Sequence, residues 1–172
     1  MHSKNKESSM LEMNSPSRPM RRVFLLGMLA LGATSLPAAA NPRATALQVW
    51  KDPHCGCCKD WIVHMEQSGF RASVADEGND AARARLGVAQ KFASCHTALV
   101  QGYVIEGHVP VADILRLLKE KPKALGLAVP GMPIGSPGMD GPAYGGRQDA
   151  YQVLLIQKDG SAQVFTSYKG KA

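Results

Sequence analysis

The segment at residues 46–65, ALQVWKDPHCGCCKDWIVHM, determines which fold we predict for this chain of 172 residues. In its first five residues the polar Gln48 stands between apolar neighbours, a pattern that indicates a short strand, and Asp52-Pro53 ends that strand. Four later residues have the spacing of a helix with one buried face, namely Cys58, Trp61, Ile62 and Met65. The segment therefore predicts a strand, a cysteine-rich loop and a helix that begins at Cys58.

A strand, a loop with Cys55-x-x-Cys58 and a helix in direct succession are typical of the start of a thioredoxin fold. Unpaired backbone N–H groups at the start of a helix favour the thiolate over the thiol. Because thiolates attack disulfides and also bind soft metal ions, this feature is compatible with two functions. One is a thiol-disulfide oxidoreductase, with Cys55 as the attacking thiol and Cys58 as the resolving thiol. The other is a metal-binding protein.

The rest of the chain predicts an α/β, thioredoxin-like fold with a central mixed sheet and the element order β-α-β-α-β-β-α. The residue patterns predict further strands at residues 71–75, 97–100 and 103–106, and helices at residues 80–86 and 110–121. Residues 124–146 contain seven glycines and four prolines and are predicted to form a long functional loop. Residues 151–157 and 162–168 then predict a C-terminal β-hairpin around an Asp-Gly turn.

Residues 1–40 have the features of an export signal peptide, which leaves residues 41–172 as a single thioredoxin-like domain that we expect in the periplasm. A polar, basic leader precedes an apolar run at residues 23–36 that is too short to span a bilayer. Small residues after this run provide a cleavage site. The paired arginines before the run resemble a twin-arginine signal. Met20 stands where that signal usually has Ser or Thr, so the general secretory route stays open as well.

The charge of the predicted domain argues against two classes of partner, nucleic acids and membrane surfaces. The chain has a formal net charge of +6, but the leader carries five of the 20 basic residues and two of the 14 acidic residues, which leaves +3. The basic residues that are left form no cluster. Neither nucleic acid nor a membrane surface is therefore a predicted partner after the signal is removed.

All four cysteines of the chain lie in the predicted domain, and a core of this size does not need disulfides to fold. In a thioredoxin-like fold Cys95 precedes the third strand and faces the loop that carries the other three cysteines. His96 then stands where thioredoxins have a cis-proline. Clustered thiolates repel one another unless a cation neutralises them, and Cu(I), Zn(II) and iron–sulfur clusters are the cations compatible with thiolate.

The spacing of the cysteines favours copper over zinc. Zinc sites commonly take two separate pairs of ligands, whereas Cys55, Cys57 and Cys58 are too close in sequence to surround one ion evenly. Bridging sulfurs in a multinuclear Cu(I) cluster suit this spacing better, and a zinc-stabilised structural domain is the weaker alternative. Cys57 also argues against an oxidoreductase, because a third thiol offers a wrong partner in disulfide exchange.

Three further residues are candidate copper ligands. Met132 and Met139 lie in the Gly/Pro-rich loop, and their thioether sulfur suits Cu(I). His108 comes just before the last helix, near the expected mouth of the site, and imidazole is a common ligand of copper. The two tryptophans, Trp50 and Trp61, are predicted to lie in the core.

Four motifs in order resemble those of a bacterial family of small periplasmic, thioredoxin-like copper-binding proteins of the CopG copper-resistance type. Members of this family are often described only as a domain of unknown function or as metal-binding proteins. The motifs extend over about residues 46–157 and are Cys55-Gly56-Cys57-Cys58-Lys59-x-Trp61, Ser94-Cys95-His96-Thr97, Gly102-Tyr103-x-x-Glu106-Gly107-His108-Val109-Pro110 and Gly126-Leu127-Ala128-Val129-Pro130-Gly131-Met132-Pro133.

The resemblance implies a cysteine-bridged copper cluster, with Cys55, Cys57, Cys58 and Cys95 as its ligands. It also implies a role in periplasmic copper tolerance, with interconversion of Cu(I) and Cu(II) as one form that the role can take. The implied partners are copper ions and other periplasmic copper-handling proteins. Whether the protein turns over a substrate as an enzyme is left open by the resemblance.

Overall fold

The strand and helix predicted around the cysteines are both present in the computed structural model, which describes residues 44–171. β1 (Thr45–Lys51) leads into α1 (Gly56–Gln67), and the buried face of α1 consists of the four residues that the spacing predicts. The predicted export signal, residues 1–40, lies outside the described residues.

With one exception, the elements after α1 follow the predicted order within residues 44–171. They are β2 (Phe70–Ala75), α2 (Asp80–Arg85), β3 (His96–Val100), β4 (Tyr103–Glu106), α3 (Val111–Glu120), β5 (Gly126–Ala128), β6 (Tyr151–Ile156) and β7 (Ala162–Tyr168). Two short 3-10 helices accompany them, at Gln90–Phe92 and Pro142–Tyr144. The α/β class and the C-terminal hairpin of β6 and β7 are thus confirmed.

The strands form one mixed sheet in the order β2-β1-β3-β4-β5-β6-β7. β1 is parallel to β2, and β3 is antiparallel to both β1 and β4, which is the arrangement of a thioredoxin-like core. β5 then runs parallel to β4, and β6 and β7 extend the sheet as antiparallel strands. Because β4 and β5 are parallel, the chain leaves both of them at the same edge of the sheet, which is the edge that carries the cysteines.

One element differs from the predicted pattern, because the loop expected at residues 124–146 contains β5. Gly126 lies so close to β4 that a Cβ atom there would be 1.8 Å from the carbonyl oxygen of Val104. A glycine in this strand therefore serves a close backbone approach and does not mark a loop. Three residues are also too few to show the alternation by which strands are recognised.

The largest buried apolar cluster packs α1 and α3 against the sheet. Its members include Val49 of β1, Ile105 of β4 and Leu127 of β5. Both tryptophans are buried, as the sequence predicts, and Trp61 donates a hydrogen bond from its indole N–H to the carbonyl oxygen of Val109 at 2.9 Å. This bond links α1 to the segment that leads into α3.

None of the helices within residues 44–171 is both long enough and apolar enough to cross a membrane.

Candidate metal centre

The first turn of α1 holds three of the four cysteines. Cys55 is the N-cap residue of the helix, and its sulfur accepts a hydrogen bond from the backbone N–H of Cys58 at 3.3 Å. The sulfur of Cys57 lies 3.5 Å from that of Cys55. Cys58 is fully buried, whereas Cys55 and Cys57 are half-buried. A single turn of helix therefore places three sulfur atoms next to one another, with part of the group open to solvent.

Cys55 and Cys58 are joined by a disulfide in this structure, whereas Cys57 and Cys95 are free. The start of the helix explains the pairing, because it brings the Cα atoms of Cys55 and Cys58 to 5.4 Å, within the range that a disulfide bridges. The sequence predicts four thiolates, and the structure instead shows the oxidised form of one pair. A site with four thiolates requires this disulfide to be reduced first.

Cys95 approaches the other cysteines because β3 pairs with β1. The two strands are antiparallel, and His96 at the start of β3 lies opposite Lys51 at the end of β1. The residue before β3 therefore meets the loop after β1, and the carbonyl oxygen of Cys95 lies 3.5 Å from the sulfur of Cys58. All four cysteine sulfurs lie within 4.8 Å of one another. The fold thus brings the four predicted ligands together.

The thiol of Cys95 is hard to ionise in the protein alone. Burial, and then a negative charge on the neighbouring Cys57, raise the pKa of the Cys95 thiol to about 12. Cys95 precedes a strand, so it has no helix dipole to favour its thiolate as the cysteines of α1 do. The proton of Cys95 therefore leaves readily only when a cation takes its place.

His108 is fully buried against Cys95, and does not lie at an open mouth of the site as the sequence led us to expect. Its Nε2 atom is 2.9 Å from the sulfur of Cys95, and its Nδ1 atom is 2.8 Å from the carbonyl oxygen of Pro137. Because a carbonyl oxygen only accepts hydrogen bonds, we assign the proton to Nδ1 and a lone pair to Nε2. Burial lowers the pKa of His108, so the ring is neutral at pH 7.

His96 is a second buried histidine at the site. Its ring packs on Trp61 with ring centroids 4.3 Å apart, and it meets the ring of His108 edge-on at 5.0 Å. Its Nδ1 atom is 3.5 Å from the sulfur of Cys95, and its Nε2 atom has no hydrogen-bond partner among residues 44–171. Burial lowers the pKa of His96 well below its ordinary value. The sequence placed His96 near the cysteines but did not identify it as a ligand.

The Gly/Pro-rich segment after β5 packs on the first turn of α1. A Cβ atom added to Gly138 would lie 2.5 Å from the carbonyl oxygen of Cys57 and 2.8 Å from the backbone nitrogen of Trp61. Gly138 also has a positive φ of 84°, which other residues rarely adopt. The preceding residue, Pro137, supplies the carbonyl group that holds His108. The predicted functional loop therefore lies directly against the cysteine-bearing turn.

The two candidate methionine ligands lie in this segment in different surroundings. Met139 is 9% exposed, and its sulfur accepts a hydrogen bond from the hydroxyl group of Tyr144 at 3.3 Å. Met132 is 51% exposed. A role for either thioether as a copper ligand stays a prediction.

A buried polar network that the sequence analysis did not identify lies behind Cys95. The carboxylate of Glu106 accepts hydrogen bonds from the backbone N–H of Ser94 at 2.8 Å and from the hydroxyl group of Thr97 at 2.6 Å. Arg83 donates to the same carboxylate at 3.0 Å and to the carbonyl oxygen of Ser94 at 3.2 Å. The network therefore fixes both backbone polar groups of the residue before Cys95. A charged side chain in the otherwise apolar strand β4 was the signal that could have revealed it.

Comparisons with known proteins agree with this description of the fold. Residues 92–139 match a family described as a protein of unknown function, DUF411. A comparison with curated proteins gives no match. Two solved structures, of copper resistance protein CopG in form 1 and in form 2, are each 48% identical to the chain, with TM-scores of 0.68 and 0.67.

The likeness to these two structures extends over most of the described residues. The matched region covers 74% of this chain and 99% of the form 1 chain, and 73% of this chain and 98% of the form 2 chain. Nearly half of the residues are therefore identical over almost the full length of the two solved structures, and the chain belongs to the family of the copper resistance protein CopG.

Proposed function

We propose that this protein is exported to the periplasm and binds Cu(I) as its cargo through Cys55, Cys57, Cys58 and Cys95. The observation that carries the proposal is the approach of all four cysteine sulfurs to within 4.8 Å of one another. Thiolate sulfur is a soft ligand, and Cu(I) is among the soft ions that it selects. The solved relatives are named as copper resistance proteins, which supports copper as the ion.

Binding begins with reduction of the disulfide between Cys55 and Cys58. A dithiol reductant supplies two electrons and two protons, becomes a disulfide itself and leaves two thiols on α1. Each thiol that then binds Cu(I) releases its proton to solvent. Because the pKa of the Cys95 thiol is high, removal of its proton costs more free energy than at an ordinary cysteine.

A cluster of several Cu(I) ions suits the crowding of the sulfurs. The sulfurs of Cys55 and Cys57 are 3.5 Å apart, so one ion can be shared between them, and each sulfur can also contact a second ion. Several monovalent ions together offset the charge of four thiolates more fully than one ion does. His108, Met132 and Met139 are proposed as additional ligands of such a cluster, and other periplasmic copper-handling proteins as donors and acceptors.

A thiol-disulfide oxidoreductase is a second candidate, because the disulfide between Cys55 and Cys58 is formed in the structure. Cys55 is the half-buried member of the pair and would be the attacking thiol, while the fully buried Cys58 would resolve the mixed disulfide. The free Cys57, with its sulfur 3.5 Å from that of Cys55, would compete with Cys58 in that second step.

An anaerobic Cu(I) titration of the reduced protein, run beside an insulin-reduction assay, separates the two candidates. We expect more than one Cu(I) per chain and no disulfide turnover. Zinc is titrated alongside, and one zinc ion per chain with little affinity for Cu(I) would support the structural zinc site instead. Turnover of insulin disulfides without Cu(I) binding would support the oxidoreductase.

The variant Cys57→Ser tests the contribution of the third thiol. We expect fewer Cu(I) ions per chain with an unchanged far-ultraviolet circular dichroism spectrum, because Cys57 is half-buried in the first turn of α1 and is not part of the core. Lys59→Ser is the matched control, since it introduces the same residue at an exposed position of the same helix turn and should leave the copper count unchanged. Loss of folding in Cys57→Ser would show that Cys57 is needed for the fold itself, which would contradict its assignment to copper binding alone.

A further inference from the structure

We propose that the disulfide-bonded form of the protein carries a second metal site, made by the sulfur of Cys95 and the imidazoles of His96 and His108, which binds a divalent first-row transition ion. One ligand atom from each of these residues lies within 4.8 Å of the others. The site goes beyond the proposed Cu(I) function, because it needs neither Cys55 nor Cys58 as a thiolate.

The distances around Cys95 fit a bound ion. A tetrahedral ion bonded to sulfur at about 2.3 Å and to nitrogen at about 2.0 Å separates these two ligand atoms by about 3.5 Å. The sulfur of Cys95 and Nδ1 of His96 are 3.5 Å apart. The sulfur of Cys95 and Nε2 of His108 are 2.9 Å apart, which is the distance of a hydrogen bond. An ion would replace the proton shared by these two atoms and separate them by roughly half an ångström.

The surroundings of His108 are those of a metal ligand. Histidines that bind metals usually donate their other ring N–H to a carboxylate or a backbone carbonyl, which fixes the tautomer and the orientation of the ring. The Nδ1 atom of His108 makes such a bond with the carbonyl oxygen of Pro137 at 2.8 Å. The lone pair of Nε2 is therefore already turned toward Cys95 before any ion arrives.

The surroundings of His96 also favour this role. The ring is fully buried, packs on Trp61, and has one nitrogen without a hydrogen-bond partner among residues 44–171. That nitrogen is Nε2, which would carry the ring proton and leave the lone pair of Nδ1, the atom that faces the sulfur of Cys95 at 3.5 Å, for the ion. Burial also keeps the ring neutral, which is the form that binds a metal.

The donor set selects a different class of ion from that of the four cysteines. One thiolate with two imidazoles suits Cu(II), Zn(II) and Co(II), and among the divalent ions Cu(II) binds most tightly to such ligands. Four thiolates suit Cu(I). Because formation of the disulfide removes two of the four thiolates and leaves Cys95 and both histidines in place, the oxidation state of the Cys55 and Cys58 pair would determine which class of ion the protein holds.

Titration with Co(II) tests the second site without copper-driven oxidation of the free thiols. The protein is kept in its disulfide form, which a count of two free thiols per chain confirms. We expect one Co(II) per chain, with the near-ultraviolet charge-transfer absorption of a Co(II)–thiolate bond. Cys95→Ser should abolish that absorption. His96→Gln and His108→Gln should each weaken Co(II) binding by about tenfold or more.

His64→Gln is the matched control, because His64 is a half-buried histidine on α1 outside the group formed by Cys95, His96 and His108, and its loss should leave Co(II) binding unchanged. Absence of the thiolate absorption in the wild-type disulfide form would overturn the proposal. Binding that is unaffected by both buried-histidine variants would also overturn it, provided that circular dichroism shows them to be folded. The Cu(I) titration of the reduced protein is a separate measurement, so either site can fail while the other is supported.

Discussion

Cys95 depends for its position on the residue that precedes it. Both backbone polar groups of Ser94 are held by the buried pair of Glu106 and Arg83, and no covalent bond ties Cys95 to the other cysteines. Glu106 is therefore a positioning residue, which acts on the site through the backbone of Ser94. Hydrogen bonds to a charged, buried group are stronger than those between neutral groups, which suits this role.

At the residue scale, we predict that Glu106→Gln lowers the free energy of unfolding by about 3 kcal/mol, because it leaves the buried guanidinium of Arg83 without its buried counter-charge. The variant should also lower the affinity of the reduced protein for Cu(I). Denaturant unfolding and a Cu(I) competition assay measure the two effects.

Asp80→Asn is the matched control, because the side chain of Asp80 pairs with the same arginine but is 93% exposed. We expect this change to cost less than about 1 kcal/mol. Equal losses of stability in the two variants would show that the burial of Glu106 has no special effect.

At the element scale, the parallel pairing of β4 and β5 explains why a loop lies over the cysteines. Glu106 at the end of β4 is paired with Ala128 at the end of β5, so the chain leaves both strands at the same edge. The segment after β4 supplies His108, and the segment after β5 supplies Pro137 and Gly138, which contact His108 and α1. The position of three residues of β5 thus determines what covers the site.

We predict that Gly138→Ala lowers the free energy of unfolding by about 1–3 kcal/mol, because its Cβ atom would collide with the backbone of Cys57 and its φ of 84° is unfavourable for alanine. The loop should also separate from α1, so that a thiol-alkylating reagent modifies Cys57 faster. The alkylation rate of the disulfide form measures this separation.

Gly141→Ala is the control for this substitution. Gly141 lies in the same segment with a φ of −68°, and a Cβ atom there has no neighbour within 4 Å. Its stability and alkylation rate should match those of the wild type. A similar alkylation rate in both variants would contradict the close approach of the loop to α1.

Strands and helices with long residue patterns were predicted more accurately than short ones. β1, α1 and α3 have several turns or alternations, and the sequence predicted each of them close to its observed bounds. β5 has three residues, and its glycine was taken as a loop signal because its partner strand is distant in sequence. The helix predicted at residues 80–86 agrees with α2 at Asp80–Arg85, and Asn79 is its N-cap residue.

At the scale of the whole molecule, we predict that the metal-free disulfide form loses stability as the pH falls below about 6.5. Burial lowers the pKa of His96 and of His108, whereas both rings have ordinary pKa values near 6.5 once the chain unfolds. The unfolded chain therefore binds more protons than the folded chain in this range, and acid favours unfolding. The slope should approach about 1.4 kcal/mol per pH unit for each histidine.

Denaturant unfolding between pH 7.5 and pH 5.5 measures this slope, with pH values chosen above the titration of ordinary carboxylates, at about 4. His108→Gln should reduce the slope, because it removes one of the two buried rings. A stability that does not change with pH in this range would show that both rings take up protons as readily in the folded chain as in the unfolded chain, which would contradict their lowered pKa values.

The whole site was only partly predictable, since it is assembled from segments that are far apart in sequence. The four cysteines could be identified because the thioredoxin-like order places Cys95 opposite α1. The disulfide, the burial of His108 and the role of Glu106 could not, because each depends on side-chain contacts between segments that the element order does not specify.

The uneven burial of the ligands limits how an ion can reach the site. Cys58, His96 and His108 are fully buried, and Cys55, Cys57 and Cys95 are half-buried, so solvent touches the group only on the side of those three residues. Within residues 44–171, an ion would therefore reach the site from the side of these three cysteines. A copper-handling protein of the kind proposed above would have to approach from this side to place an ion within reach of these sulfurs.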